Sequence, residues 1–414
     1  MRQFLVRVIV WRPGGYMRAS GGLLGWMMLR AAGQAALVIT LARLLGVLGY
    51  GRFIAALAVA SFFVPLAGLG LQGVLLRELA RAPNRLPEQL GQALRLWWRS
   101  TTVFGILGIG VAFAALPQQI PELALFVFVP AEIASGSLVD LLARIEQSQH
   151  RVSRFGAMTA GLVLVRLLAV VIYSVWHGTS VEGWMWAYAV GSASYAATLL
   201  AWAWRTYQPC SPRRIEYALA REGLPFAWGA LTLRLQAEFN KPVLAQLGYA
   251  LAGNFSVAQR AMDVACLPLT AMQEALWPRL YASTNPFGRM LFTAAVLLFL
   301  ALSGGVILYF AAPLLPRLLG DGFGNTVQLL RWLAWLPALQ VVRNVASFHV
   351  VAIRRTTALA WAYAAGAVTS VVATTILTIR HGLAGAAVAL YLSECAMIVM
   401  QLVLSSGQGR QQAA

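Results

Sequence analysis

Charge is scarce in this chain. Asp, Glu, Lys and Arg make up 11% of its 414 residues, against about a quarter in soluble domains. That shortage excludes an ordinary water-soluble fold. Acid is scarcer than base, with 14 acidic residues against 32 basic ones, and Lys241 is the sole lysine. Cysteine is nearly absent. Cys210, Cys266 and Cys395 are an odd number with no paired spacing, which argues against a disulfide framework or a zinc site. The four histidines, His150, His177, His349 and His381, are scattered, and the sequence holds no Walker loop, no GxSxG and no HExxH. The groups that make and break bonds are missing, so the chain does not read as an enzyme. No cofactor and no metal are implied.

What is present is apolar sequence. Hydrophobic residues make up 59% of the chain, gathered in blocks long enough for a helix to cross ~30 Å of hydrocarbon, which takes roughly 20 residues. The runs are continuous rather than alternating, which favours helices over a closed barrel. The pattern predicts an all-α polytopic membrane protein with twelve spans near 20–41, 51–73, 100–117, 121–144, 155–176, 183–204, 223–245, 252–276, 289–312, 325–352, 357–379 and 382–404. Met1–Arg18, with Arg2, Arg7, Arg12 and Arg18, reads as the basic flank of an uncleaved signal anchor.

The basic residues set the orientation. Alternate connections, beginning with the N-terminus, hold 21 of the 32. The intervening connections and their edges hold five, Arg43, Arg52, Lys241, Arg317 and Arg380, and six lie within spans. Positive charge stays on the cytosolic side, so both termini are expected in the cytosol. In a soluble chain an excess of +18 would suggest nucleic acid; here membrane orientation accounts for it, and no nucleic acid is expected. The predicted outer loops are short and leave no room for an extracytoplasmic domain. The longest polar stretch, about Arg205–Glu222 with Pro209 and Pro212, falls at the midpoint. It divides the chain into a six-helix lobe at 1–208, a cytosolic linker at 209–222 and a six-helix lobe at 223–414.

The halves echo each other. Gly51-Arg52-Phe53, Pro65 and Arg77 in the first match Gly253-Asn254-Phe255, Pro268 and Arg279 in the second, at offsets of 202 or 203 residues. Six spans per half start both halves on the same side of the membrane. The repeats are therefore expected to be parallel, the arrangement in which transporters bind cargo between two rocking halves.

Six arginines fall within spans: Arg30, Arg166, Arg234, Arg260, Arg331 and Arg343. Each is costly there, at about 2.5–3.5 kcal/mol on insertion scales, and such residues usually face a bundle interior or a wet cavity. Arg30 and Gln34 share a face at i,i+4, as do Arg234 and Glu238, with Lys241 three residues further on. Arg260 and Asp263 share one at i,i+3, with Glu274 near the same azimuth. Gln340, Arg343, Asn344 and Ser347 form another stripe. The expected cationic cavity is therefore lined by Arg30, Gln34, Arg234, Arg260, Arg343 and Asn344, with Glu238, Asp263 and Glu274 as candidates for ion coupling. The bland alternative makes Arg234–Glu238 and Arg260–Asp263 simple intrahelical pairs. Arg331, beside Trp332 and Trp335, reads as an interface anchor, and Glu132, Asp140 and Glu394 as polar knobs or ion sites. A cationic cavity implies an anionic guest, and arginine forks suit phosphate.

Leu41-Ala42-Arg43-Leu44-Leu45-Gly46 followed by Tyr50-Gly51-Arg52-Phe53 resembles the first two helices of bacterial polysaccharide-export proteins, the lipid-linked oligosaccharide flippases (Wzx type) of the MOP exporter superfamily. Glu222-Gly223-Leu224-Pro225-Phe226, the loop from Pro313 to Phe323, and Gly382-Leu383-Ala384-Gly385-Ala386-Ala387 through Glu394 resemble later parts of the same family. The resemblance implies a MATE/MOP-like fold. It also implies an inner-membrane flippase for undecaprenyl-diphosphate-linked oligosaccharide, an O-antigen (lipopolysaccharide), capsule or exopolysaccharide unit, working by alternating access. Membrane lipid, a polysaccharide polymerase and glycosyltransferases are the implied partners. The family's acidic hinge late in helix 7 is here Phe239-Asn240-Lys241-Pro242-Val243-Leu244, with Glu238 the nearest acid. The other readings are a MATE-like drug antiporter, a membrane glycosyltransferase or polymerase (disfavoured by the short outer loops), and a non-transporting scaffold of a polysaccharide assembly complex.

Overall fold

The computed structural model describes residues 15–177, 180–210, 217–270, 272–273, 286–352 and 355–406, and every regular element among them is helical. The helices are α1 (Gly15–Ala67), α2 (Leu71–Arg81), α3 (Leu86–Ala115), α4 (Glu122–Ser148), α5 (Val152–His177), α6 (Val181–Tyr207), α7 (Tyr217–Glu238), α8 (Asn240–Leu247), α9 (Tyr249–Ala265), α10 (Pro286–Ala311), α11 (Leu314–Leu319), α12 (Asn325–Leu333), α13 (Leu336–Ala352) and α14 (Thr356–Ser406). Six helical stretches among the described residues are long and apolar enough to cross a membrane, and two of them, Gly25–Arg81 and Thr357–Ser405, have the length for two crossings. The other predicted spans fail that test because α6 is diluted by Trp, Tyr and Ser, while α7–α8, α9 and α12–α13 are broken or short.

Five predicted spans take a different form. The first two are limbs of one element, α1, which turns at Gly46 with φ 65° and ψ 178°. Only glycine adopts such a backbone without strain. The third begins at Leu86 rather than near 100, because Leu86, Leu90, Leu94 and Trp97 bury one face of a polar extension while Arg95 and Arg99 stay off it. A search for apolar runs misses an amphipathic extension of this kind. The seventh is broken between Glu238 and Asn240, and the tenth between Leu333 and Leu336. Residues 217–222, expected in the linker, already belong to α7.

The halves meet along α1, α7 and α9. At the predicted outer face a Cβ on Gly51 would stand 1.8 Å from the Tyr249 carbonyl oxygen, and one on Gly253 would stand 2.5 Å from that of Val47. The two contacts are equivalent under the 202-residue offset of the repeat. Small residues let membrane helices approach this closely. Thr326 donates to Asn254 Oδ1 at 2.7 Å, and Arg43 donates to the Leu318 carbonyl, closing the same face. At the opposite face the α1–α2 junction packs on the start of α7, where Gly70 lies against the Gly223 carbonyl and Arg77 pairs with Glu222.

Candidate substrate cavity

The breaks in the seventh and tenth spans bring charged side chains together. Phe239 interrupts α7–α8, and Glu238 and Lys241 flank the interruption. Lys241, assigned by sequence to an outer edge, is instead fully enclosed, 1% exposed, with its ammonium on Glu238 Oε2. The other oxygen of Glu238 takes Arg260 at 3.3 Å, and Arg260 also reaches Asp263 at 3.6 Å. Of the two intrahelical pairs in the bland alternative, Arg260–Asp263 forms and Arg234–Glu238 does not; Glu238 turns to the cations on α8 and α9. Arg234 and Arg30 make no ion pair and no hydrogen bond among the described residues.

Two cavities meet at this group. One, of about 170 Å³, lies in the first half between α1, α4, α5 and α6, and its wall includes Gln34, Tyr50, Ser61, Glu132, Arg166 and Tyr188. The other, of about 470 Å³, lies in the second half between α7, α9, α13 and α14, with Gln236, Asp263, Gln340, Arg343 and Glu394 in its wall. Arg234, Glu238 and Arg260 border both. Across the second cavity Arg343 Nε faces Glu394 Oε2 at 3.3 Å, an ion pair without hydrogen-bond geometry. Gln236 and Gln340 donate to the other Glu394 oxygen at 3.4 and 3.5 Å.

The two walls together carry four arginines and four carboxylates. Every carboxylate has a cation: Glu132 has Arg166, Glu238 has Lys241 and Arg260, Asp263 has Arg260, and Glu394 has Arg343. The positive excess rests on Arg234 at the junction and on Arg30, one helical turn from Gln34, exposed and outside both walls. Arg30 lies within electrostatic reach of Arg234, Asp140 and Arg144. Asn344 bridges Arg343 (3.1 Å) and Gln273 (2.9 Å) behind the second cavity and does not border it. Glu274 lies outside the described residues.

Three features of this arrangement were not expected. Glu132 pairs with Arg166 between α4 and α5, Glu394 pairs with Arg343 between α13 and α14, and Tyr188 underlies Arg166 with its ring 4.6 Å away. Periodicity reports only neighbours on one helix; the available signal was parity, since a buried charge requires a partner.

These features can be set beside known proteins. The family model described as polysaccharide biosynthesis protein matches residues 27–283. The chain belongs to that family. No curated protein sequence matches it. Among solved structures it resembles the lipid II flippase MurJ in an inward closed conformation, with a TM-score of 0.75 at 13% identity over 94% of this chain and 87% of that one. It resembles a multidrug resistance MATE family transporter of the MOP superfamily in its inward-facing conformation, with a TM-score of 0.74 at 16% identity over 93% and 95%. Against an outward-facing MATE structure the score is 0.59 at 15% identity over 96% and 95%. The fold is therefore the all-α fold that these MATE and MurJ structures share. The solved structures that share this fold are a flippase and transporters.

Proposed function

We propose that this member of the polysaccharide biosynthesis family moves a polyprenyl-diphosphate-linked oligosaccharide from the cytosolic to the outer leaflet of a bacterial inner membrane, with both termini in the cytosol. The observation that carries this reading is the uneven pairing of charge around the two cavities. Each carboxylate at the two cavities has a cation, so none is left for a cationic drug, whereas Arg234 and Arg30 make no ion pair among the described residues. That imbalance favours an anionic cargo over the drug-antiporter reading. Arg30 meets the diphosphate at the mouth, and Arg234 and Arg260 hold it at the junction through charge-assisted hydrogen bonds. Gln34, Arg343 and Asn344 contact or position the attached sugars and phosphate, while the isoprenoid tail stays in lipid.

Alternating access follows from the seam. The reciprocal glycine contacts seal the outer face, and the better superposition on inward than on outward MATE structures supports an inward arrangement. The lobes, 1–208 and 223–414, rock about the broken helix at Phe239. Glu238 and Asp263 exchange partners during the motion and are the groups that an ion gradient would act on. Purified protein in detergent tests the anion step: it should bind a polyprenyl diphosphate at least tenfold tighter than the matching alcohol, and Arg234→Ala should remove most of that preference. Equal affinity for the two lipids would sink the proposal.

A further inference from the structure

The smaller cavity has a chemistry of its own. At about 170 Å³ it has room for on the order of six waters at ~30 Å³ each, the scale of one pyranose ring, against about 470 Å³ in the cavity it adjoins. Its polar wall is built rather than incidental. Arg166 and Glu132 are each 8% exposed. The guanidinium is fixed on four sides: Nε donates to Ser192 at 2.9 Å, Nη2 contacts Glu132 and reaches Ser135 at 3.4 Å, and the Tyr188 ring lies beneath at 4.6 Å. One Glu132 oxygen takes the arginine, and the other accepts no hydrogen bond among the described residues.

Such a pair is an expensive way to fill a membrane interior. Well-packed apolar residues of the same volume are often as stable or more so, and insertion penalises both charges. What the pair provides is a fixed donor and a fixed acceptor side by side, against the edge of an aromatic group that includes Phe53 and Tyr188 at 5.1 Å. Gln34 and Ser61 extend the polar edge. Planar donors and acceptors together with aromatic faces suit a neutral polyhydroxylated ring, and a second anion would be repelled by Glu132.

We infer that this chamber is a subsite for a single sugar residue, the one joined directly to the diphosphate. The inference rests on the flippase reading, because the shared wall of Arg234, Glu238 and Arg260 then holds the phosphates next to the chamber. Arg166 and Glu132 hydrogen-bond adjacent hydroxyls of the ring, and Tyr188 supports the guanidinium. The larger cavity takes the distal sugars, so discrimination falls on the proximal residue and the rest of the oligosaccharide is tolerated.

The test is equilibrium binding to the full chain in detergent. The probes are a short polyprenyl diphosphate, bare or carrying one hexose or one N-acetylhexosamine. One of the glycosylated lipids should bind wild type roughly tenfold tighter than the bare lipid, the worth of one charge-assisted hydrogen bond. The uncharged pair Glu132→Gln with Arg166→Met should erase that gain and leave the bare lipid's affinity unchanged. A gain that is absent in wild type, or that survives in the double variant, overturns the inference. Failure of the bare lipid to bind contradicts the diphosphate reading instead. Ser61→Cys in a chain without its native cysteines reads the chamber independently of that variant's folding. The glycosylated lipid should slow its labelling by a small maleimide while the bare lipid does not, and equal or no protection by both overturns the subsite.

Discussion

Adding a single methyl group at Gly51 should unseal the outer face. The Cβ of Gly51→Ala would stand 1.8 Å from the Tyr249 carbonyl oxygen, whereas real Cβ contacts are essentially never under 3.0 Å. The opposing atom is backbone, so no side chain can rotate away, and the two helices must part by more than 1 Å. Overpacking of this kind costs roughly 1–3 kcal/mol. If the penalty falls only on the sealed state, the balance between sealed and open outer faces shifts by about 5- to 150-fold, at 1.4 kcal/mol per factor of ten. The assay is the labelling rate of Gln34→Cys by a membrane-impermeant maleimide added outside cells, in a chain whose Cys210, Cys266 and Cys395 are replaced by serine. The rate should rise at least fivefold in Gly51→Ala. It should rise by less in Gly253→Ala, where the opposing Val47 oxygen is 2.5 Å away. In Gly110→Ala, where nothing lies within 4 Å, it should not change. Unchanged labelling in a Gly51→Ala protein that melts with wild type would refute the reasoning.

Three further perturbations separate the roles of the buried charges. Glu238→Gln leaves the Lys241 ammonium enclosed without a counter-charge and should destabilise the fold by about 3–5 kcal/mol. Glu238→Gln with Lys241→Met should recover most of that loss, and equal melting temperatures for single and double variants would contradict the pairing. Arg343→Ala strands the Glu394 carboxylate in the same way, so a double-mutant cycle with Glu394→Gln should give a coupling energy of at least about 1 kcal/mol; additive effects would dissolve the pair. Arg234→Ala removes a charge without a partner. It should leave the melting temperature within a few degrees while weakening lipid diphosphate binding about tenfold, and the opposite pattern would make Arg234 a structural residue.

Much of the membrane architecture was legible because hydrocarbon imposes a length and a composition on every crossing helix. The spacing of Gly51 and Gly253 was legible too, and the structure gives it a physical basis in two reciprocal backbone contacts. At the cavity, the i,i+3 and i,i+4 reasoning brought Arg234, Glu238, Arg260, Asp263 and Arg343 to one region and, across the seam, Gln34. The i,i+3 neighbours Glu238–Lys241 and Arg260–Asp263 do pair, while the alternative Arg234–Glu238 pair does not form. Glu238 sits four residues after Arg234 but lies beside a helix break, which frees it to take Lys241 and Arg260 instead. Lys241 was misplaced because a lone lysine near a span's end normally marks an interface, and nothing local reveals that the chain breaks there. The pairs Glu132–Arg166 and Arg343–Glu394 join different helices, so no spacing within one segment could announce them.

The most direct measurement is translocation itself. Liposomes containing the purified chain and a labelled polyprenyl-diphosphate oligosaccharide in the inner leaflet should expose the sugar to an external glycosidase well above the rate of empty liposomes. Arg30→Ala and Arg234→Ala should each lower that rate at least tenfold without loss of reconstituted protein. A wild-type rate equal to that of empty liposomes, or full activity with both arginines removed, would contradict an anionic cargo carried through this cleft.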